Sequence, residues 1–463
     1  MMAQKRRNFL KNTLLGGSLL SFSWPALAGT NAMEKKYQRL IDGTPQNAKS
    51  VMGLQVDPIK QVRLGFIGIG SRGMGHLKLA TALVPEKATI AAVCDIRPER
   101  VKEAADYLQK ERKLKVDTYS GEEESWKEMV ARDDLDLVII STPWEDHAPM
   151  SIYSMRQGKH VAVEVPAAYK TDELWEMVDT AEEMRRNCMM MENVCYGDEE
   201  LWVLQMVQEG VFGTLTYGEA AYIHNLRESL FNRYYDHWRI KHILHRTGNL
   251  YPTHGLGPVA QYMDINRGDR FAHLVSMSSK EASLSESSRE LPEGHPYKNI
   301  DQIAHGDMNN SLIKTELGRT ILVQHDVVTP RPYSRINALA GTKAYHEGYP
   351  SRLSINGKGH EWLDQEAYEE YRRQYRHPVW DTLKAEIEKY GGHGGMDFVQ
   401  MYRLIDCFNK GLPLDMDVYD GVAWSAVTPL SAISVELGNI PVKFPDFTRG
   451  KWQRQRKLGI LNL

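Results

Sequence analysis

Three groups of residues in this chain have types and spacings that can do chemistry. The first is Gly68-Ile69-Gly70-Ser71-Arg72-Gly73, which follows an apolar run and opens a helix-like one. In that setting Gly68 permits a tight turn, Gly70 lets the backbone approach a pyrophosphate, and Gly73 allows close helix–strand packing. The free N–H groups at the helix start attract the anion. The second is Asp95, 22 residues beyond Gly73 at the end of the next apolar run. A carboxylate there accepts from an adenosine ribose and repels a 2′-phosphate, so NAD is expected rather than NADP, with Arg72 and Arg97 as cations that soften the preference. The third is Tyr251-Pro252-Thr253-His254, a segment bounded by proline and glycine that reads as a turn. Such a turn can aim a phenol and an imidazole into one cleft. Proton transfer near neutral pH favours histidine, or a tyrosine whose pKa is lowered by its surroundings. The run Tyr234-Tyr235-Asp236-His237-Trp238-Arg239 adds flat rings to stack on apolar sugar faces and a guanidinium to hold hydroxyls or an acetamido oxygen.

These residues need a scaffold, and 463 residues suffice for two domains. From Val62 the pattern alternates: strands at 62–69, 88–94, 135–141 and 160–164, with helices at 75–83, 98–111, 122–132, 148–157 and 171–186. Such alternation implies a doubly wound parallel sheet, an α/β Rossmann domain over residues 62–190. Beyond it the strand-like runs 215–223, 271–279, 311–316 and 320–328 lack regular helices between them. They imply an α+β domain with an open, largely antiparallel sheet over 191–440, with helices at 199–208, 380–389, 396–410 and 417–437. Residues 29–61, broken by Gly43, Pro45, Gly53 and Pro58, read as an irregular arm, and 441–463 as a tail.

The first 28 residues differ in character. Lys5-Arg6-Arg7 precedes an apolar stretch from Thr13 to Trp24, and Ala26-Leu27-Ala28 follows. They read as an export signal cleaved after Ala28, too short in its apolar part to span a bilayer. Lys5-Arg6-Arg7-Asn8-Phe9-Leu10-Lys11 resembles a twin-arginine signal, which sends folded proteins to the periplasm. A net charge of -3, with 25% charged residues, leaves no basic surplus for nucleic acid. Four cysteines without a CxxC pair give no disulfide framework, though Cys188 and Cys195 could pair. His237, His242, His245 and His254 cluster in the sequence, but no HExxH or CxxC pattern supports a metal, and none is expected. An open sheet face makes a homodimer plausible, and no stable membrane anchor is expected.

Ser141-Thr142-Pro143-Trp144-Glu145-Asp146-His147 and Glu164-Val165-Pro166 end successive strands. They resemble the "TP…H" and "EKP" segments of the glucose-fructose oxidoreductase and inositol dehydrogenase superfamily, with Val165 in place of the usual lysine. Together with the twin-arginine-like leader, the run Gly248 to Pro258 and Gly394-Gly395-Met396-Asp397-Phe398, they resemble family 109 of the glycoside hydrolases. The resemblance implies an NAD-dependent α-N-acetylgalactosaminidase. It implies cofactor contacts at Ser71, Arg72, Gly73 and Met74, at Asp95, along Trp144 to His147, and at Glu164, Val165 and Asn193. It implies substrate contacts at Tyr222, Arg239, Tyr251, Pro252, Thr253, His254 and Tyr333.

The chemistry so implied is unusual. Most glycosidases use two flanking carboxylates. Here a tightly bound, recycled NAD is expected to take hydride from C3 of a terminal N-acetylhexosamine, after which the ketone acidifies C2, elimination expels the C1 group, water adds, and C3 is reduced again. His254 is the expected proton-transfer residue at the C3 hydroxyl, with Tyr251 assisting; Tyr222 and Tyr333 are candidates for the C2 base. The alternative is a sugar dehydrogenase that releases NADH, and a non-enzymatic sugar or redox sensor is a third reading.

Overall fold

The computed structural model describes residues 30–43, 49–357 and 359–461; the leader read at 1–28 lies outside them. The first sheet holds β1 (Val62–Ile67), β2 (Ala88–Cys94), β3 (Asp117–Tyr119), β4 (Leu137–Ile140), β5 (His160–Val163) and β6 (Cys188–Met190). Their order is β3-β2-β1-β4-β5-β6, and all five pairings are parallel. β4 and β5 are buried at every position. This is why they read as unbroken apolar runs, since helices cover both faces of a parallel sheet. The order reverses between β1 and β4, which opens a crevice at their carboxyl ends.

The second sheet is larger. It contains β7 (Leu215–Ile223), β8 (Phe271–Ser278), β9 (Asn309–Thr315), β10 (Thr320–Asp326), β11 (Ala338–Gly341), β12 (Ala344–Gly348), β13 (Ser351–Ile355) and β14 (Val442–Lys443). They run β13-β12-β11-β7-β10-β9-β8-β14, antiparallel throughout except β10 against β7. In β9 buried and outward residues alternate, with Leu312 and Lys314 outward; one face is packed and the other open. The helices Thr253–Tyr262 and Val427–Glu436 cover the packed face, against β7 and β8. The helices Met396–Lys410 and Val418–Ser425 reach back to the parallel domain, packing on the helices Ser71–Ala80 and Thr171–Met184.

Four readings are revised. The arm read as irregular contains a helix, Thr30–Asp42, anchored where the Trp175 indole N–H donates to the Leu40 carbonyl at 2.7 Å. The tail contributes β14, and Arg449 beyond it pairs with Glu182 at 2.7 Å. The helix read at 417–437 is two, Val418–Ser425 and Val427–Glu436. Pro429 has no N–H to offer the Ser425 carbonyl, and its ring crowds that oxygen. The segment read as a turn around His254 opens a helix at Thr253, despite Gly255, Gly257 and Pro258. There the missing side chains serve packing: a Cβ on Gly255 would meet the Ala221 nitrogen at 2.3 Å. All four cysteines are buried and free.

Candidate active site

The glycine turn is built as its spacing predicts. Gly68 has φ +82°, and a Cβ there would meet the Ser141 carbonyl oxygen at 2.7 Å. A Cβ on Gly73 would lie 1.8 Å from the Gly68 oxygen. The turn leads into the helix Ser71–Ala80, whose first amides face the crevice. Asp95 closes the far side: its Oδ2 accepts from the Ile69 N–H at 2.7 Å, and its Oδ1 accepts from Arg97 Nε at 3.0 Å. A pyrophosphate cradle and a ribose carboxylate therefore stand where a dinucleotide needs them.

A cleft of about 1500 Å³ runs from this turn to the second domain. Its lining includes Gly68, Gly70, Ser71, Arg72, Asp95, His147, Glu164, Val165 and Asn193 from the first domain, and Trp144 of that domain beside Tyr222, Arg239, Tyr251 and His254 of the second. Other expected contacts fall elsewhere. Met74 packs against the core, and Pro252 and Thr253 are buried beneath their neighbours. Tyr333 lies outside the lining, its hydroxyl accepting from Arg335 at 2.9 Å and its ring 6.4 Å from that of Tyr222. His147 is enclosed, and its two ring nitrogens lie 2.7 and 2.8 Å from the carbonyls of Pro166 and Thr142; it ties together the loops that end β4 and β5.

Arg72 is the hub of the cofactor end. Its Nε donates to Glu164 at 2.6 Å, and Nη1 and Nη2 donate to Asp397 at 2.7 and 3.1 Å. His76 meets the same Glu164 oxygen at 2.6 Å, and Asn193 Nδ2 donates to Asp397 at 2.7 Å. Burial alone would raise both carboxyls, but Arg72, with His76 beside Glu164 and His393 beside Asp397, holds them well below the usual range. The Asn193 Oδ1 is buried with no partner in the protein, an acceptor left open at the cofactor end.

At the reaction end, the Arg239 guanidinium lies over four rings: Tyr251 at 4.9 Å, Trp144 at 5.3 Å, Tyr234 at 5.4 Å and Tyr222 at 5.9 Å. Among the described residues no carboxylate pairs with it, and Nη1 donates to the Tyr234 hydroxyl at 2.9 Å. Burial raises the phenols of Tyr251 and Tyr222, with Arg239 only partly opposing it. The expectation of a tyrosine lowered by its surroundings is therefore reversed. Both phenols stay protonated near neutral pH and act as hydrogen-bond donors.

His254 differs. Its Nδ1 lies 2.7 Å from Oε1 of Glu192, whose side chain is fully enclosed. The sequence reading missed Glu192; its signal was a carboxylate at the carboxyl end of the last parallel strand, after Met189-Met190-Met191. His242, from the histidine cluster, instead approaches Glu145 at 3.0 Å. No three potential metal ligands converge among the described residues.

A Rossmann crevice fitted for a dinucleotide, joined to an open-sheet domain that supplies an imidazole and an aromatic cage, defines an enzyme of the NAD-binding oxidoreductase fold. Residues 62–192 match the model of the oxidoreductase family with NAD-binding Rossmann fold, and residues 196–454 match the C-terminal domain of glycosyl hydrolase 109. The chain belongs to glycosyl hydrolase family 109. It is 47% identical to a glycosyl hydrolase family 109 protein of Shewanella pealeana, over 99% of this chain and 100% of that one. It is 48% identical to another from Shewanella amazonensis, over 98% and 99%. In fold it is similar to levoglucosan dehydrogenase in complex with NADH, with TM-score 0.64 and 16% identity over 83% of this chain and 99% of that one. It is also similar to an inositol dehydrogenase homolog complexed with NAD+ from Azotobacter vinelandii, with TM-score 0.61 and 16% identity over 85% and 100%.

Proposed function

We propose that the enzyme hydrolyses terminal α-linked N-acetylgalactosamine, using its NAD as a resident group that is restored in every cycle. The observation that carries the reading is His254, backed by Glu192 and facing the same cleft as the glycine turn. Two carboxylates beside the turn do not fit the usual hydrolytic route: Arg72 keeps Glu164 and Asp397 ionised, so neither serves as the proton donor that a two-carboxylate mechanism requires.

When bound, NAD supplies a hydride acceptor for a sugar carbon and returns that hydride later. The protein's own residues bind and orient cofactor and sugar and move the hydroxyl proton. Asn193, Asp95 and the helix start orient the cofactor. Tyr251, Trp144 and Tyr222 form the walls against which a sugar ring lies, and Arg239 offers a planar donor fork to the acetamido oxygen. His254 takes the proton of the sugar hydroxyl as the carbon is oxidised and gives it back on reduction. With valine at 165, no ammonium group from that position shares this task.

Residency of the cofactor agrees with its enclosure. Arg72 and Asp397 tie the two domains together beside the glycine turn, and Arg97 lies over the Tyr235 ring at 4.5 Å on the adenosine side. The proposal includes export of the folded, loaded enzyme through the leader at 1–28, and a dimer through the open sheet face.

The test is purification without added cofactor, followed by assay of α- and β-linked N-acetylhexosaminides with absorbance monitored at the NADH band. Bound NAD, release of N-acetylgalactosamine from the α-anomer and no NADH in solution are expected. Stoichiometric NADH release with sugar oxidation would replace this reading by a dehydrogenase.

A further inference from the structure

Among the described residues no arginine or lysine pairs with Glu192, whereas Glu164, Asp397 and Asp95 each pair with an arginine. The Glu192 side chain is wholly enclosed, and among the described residues its Oε1 meets His254 Nδ1 at 2.7 Å and the Val194 N–H at 3.3 Å. Its Oε2 is buried with no hydrogen-bond partner among the described residues. Removing a carboxylate from water in this way is costly unless hydrogen bonds replace the lost solvation. The helix that carries His254 is shaped to permit the contact. A Cβ on Gly257 would meet Glu192 Cγ at 3.0 Å and the Trp424 ring at 3.1 Å, so a glycine is what lets the helix settle over the carboxylate.

We propose that Glu192 is the positioning residue of the reaction, holding His254 as the Nδ1–H tautomer with its Nε2 lone pair facing the sugar hydroxyl. This rests on the role of His254 given above. As a carboxylate, the form this proposal assigns to Glu192, the side chain only accepts, so His254 Nδ1 donates, and a neutral ring that donates from Nδ1 has a bare Nε2. When the hydroxyl O–H bond breaks, its proton forms the Nε2–H bond, and the imidazolium so created lies directly against the Glu192 carboxylate. The proton returns when the hydroxyl is re-formed, so none is consumed. Tyr251 and Tyr222, with rings 4.9 and 5.5 Å from that of His254, pack around it without competing for Nδ1.

The experiment uses holoenzyme labelled with ¹⁵N-histidine, and the His254 signals are assigned by their loss in His254→Gln. Two-bond ¹H–¹⁵N correlations should show a single Nδ1–H tautomer in the wild type. In Glu192→Gln, whose amide can donate to Nδ1, the Nε2–H form should appear, and in Glu192→Asp the Nδ1–H form should persist. The Gln variant should lose turnover by roughly 10³- to 10⁴-fold with bound NAD and KM retained, as when a catalytic histidine loses its tautomer-setting carboxylate in serine proteases. The Asp variant should recover part of that rate. An unchanged tautomer in the Gln variant overturns the proposal, as does Nε2–H in the wild type. The tautomer is read without turnover, so an enzyme inactive on N-acetylhexosaminides would refute the proposed substrate while leaving this inference to be decided on its own. If Glu192→Gln fails to fold, Glu192→Asp and the wild-type tautomer decide it.

Discussion

Arg72 and Asp397 are 325 residues apart in sequence and belong to different domains, yet they close a two-pronged ion pair at 2.7 and 3.1 Å beside the glycine turn. The pair makes the second domain part of the cofactor's enclosure. Asp397→Asn should leave the fold intact but release NAD during dialysis at least about 10-fold faster, since losing one partner of a hydrogen-bonded charge pair costs 2 kcal/mol or more. Absorbance of the retained nucleotide checks it, and wild-type retention would show that the pair is only structural.

His254→Ala should cut turnover by roughly 10²- to 10⁴-fold, the usual worth of a general acid–base group, while bound NAD stays at wild-type occupancy. Tyr251→Phe should weaken substrate binding more than it slows turnover, because the phenol stays protonated and donates. A kcat and KM comparison on one α-glycoside separates the two roles.

Arg239→Lys should not restore what Arg239→Ala loses. Both should lower kcat/KM by roughly 10- to 100-fold, the range for a hydrogen bond to a charged group. The lysine has neither the planar fork nor the stacking surface that four rings presently contact.

Acid should destabilise the protein within a defined window. His160 is pushed down from its ordinary 6.5 to about 4, first by burial and then by Arg186, with Asp136 opposing. Its folded-state pKa is depressed, so the unfolded chain binds more protons between those values. The stability contributed is present above pH 6.5 and lost as pH falls toward 4, at most about 3 kcal/mol. Burial also depresses His325, which acts in the same direction. Thermal melts from pH 7 to 4 should show the decline, and His160→Gln, which can still accept the Asn187 N–H, should flatten it.

Gly73→Ala should abolish nucleotide binding or folding, because its Cβ would lie 1.8 Å from a backbone oxygen. Isothermal titration with NAD on any soluble protein is the measurement; normal affinity would contradict the packing described.

What could be read in advance follows from where the physical signal was local. β1, β2, β4 and β5 were legible because strands buried on both faces are continuous apolar runs, and Leu215–Ile223 was legible by its length. β11, β12 and β13 were not, being four or five residues long and half exposed. The glycine turn and Asp95 were legible because their spacing fixes a turn and a strand end, and Tyr251 and His254 because a family resemblance named them; the structure brings all of them to one cleft. Helix 253–262 was hidden because glycine and proline normally signal a break, whereas here Gly255 and Gly257 are contact surfaces against β7 and Glu192. The joining of Asp397 to Arg72, and of Glu192 to His254, depends on the folding back of distant segments, which no local spacing encodes.

Glu192 and Asn193 are consecutive residues, and one reaches the imidazole while the other reaches Asp397 and, through it, Arg72. On the roles proposed above, a single peptide unit is the common pivot of the groups that would move the proton and those that would hold the nucleotide. Any redesign that shifts this pivot to admit a bulkier sugar will retune the grip on the nucleotide at the same time. Selectivity and cofactor retention should therefore vary together in variant libraries.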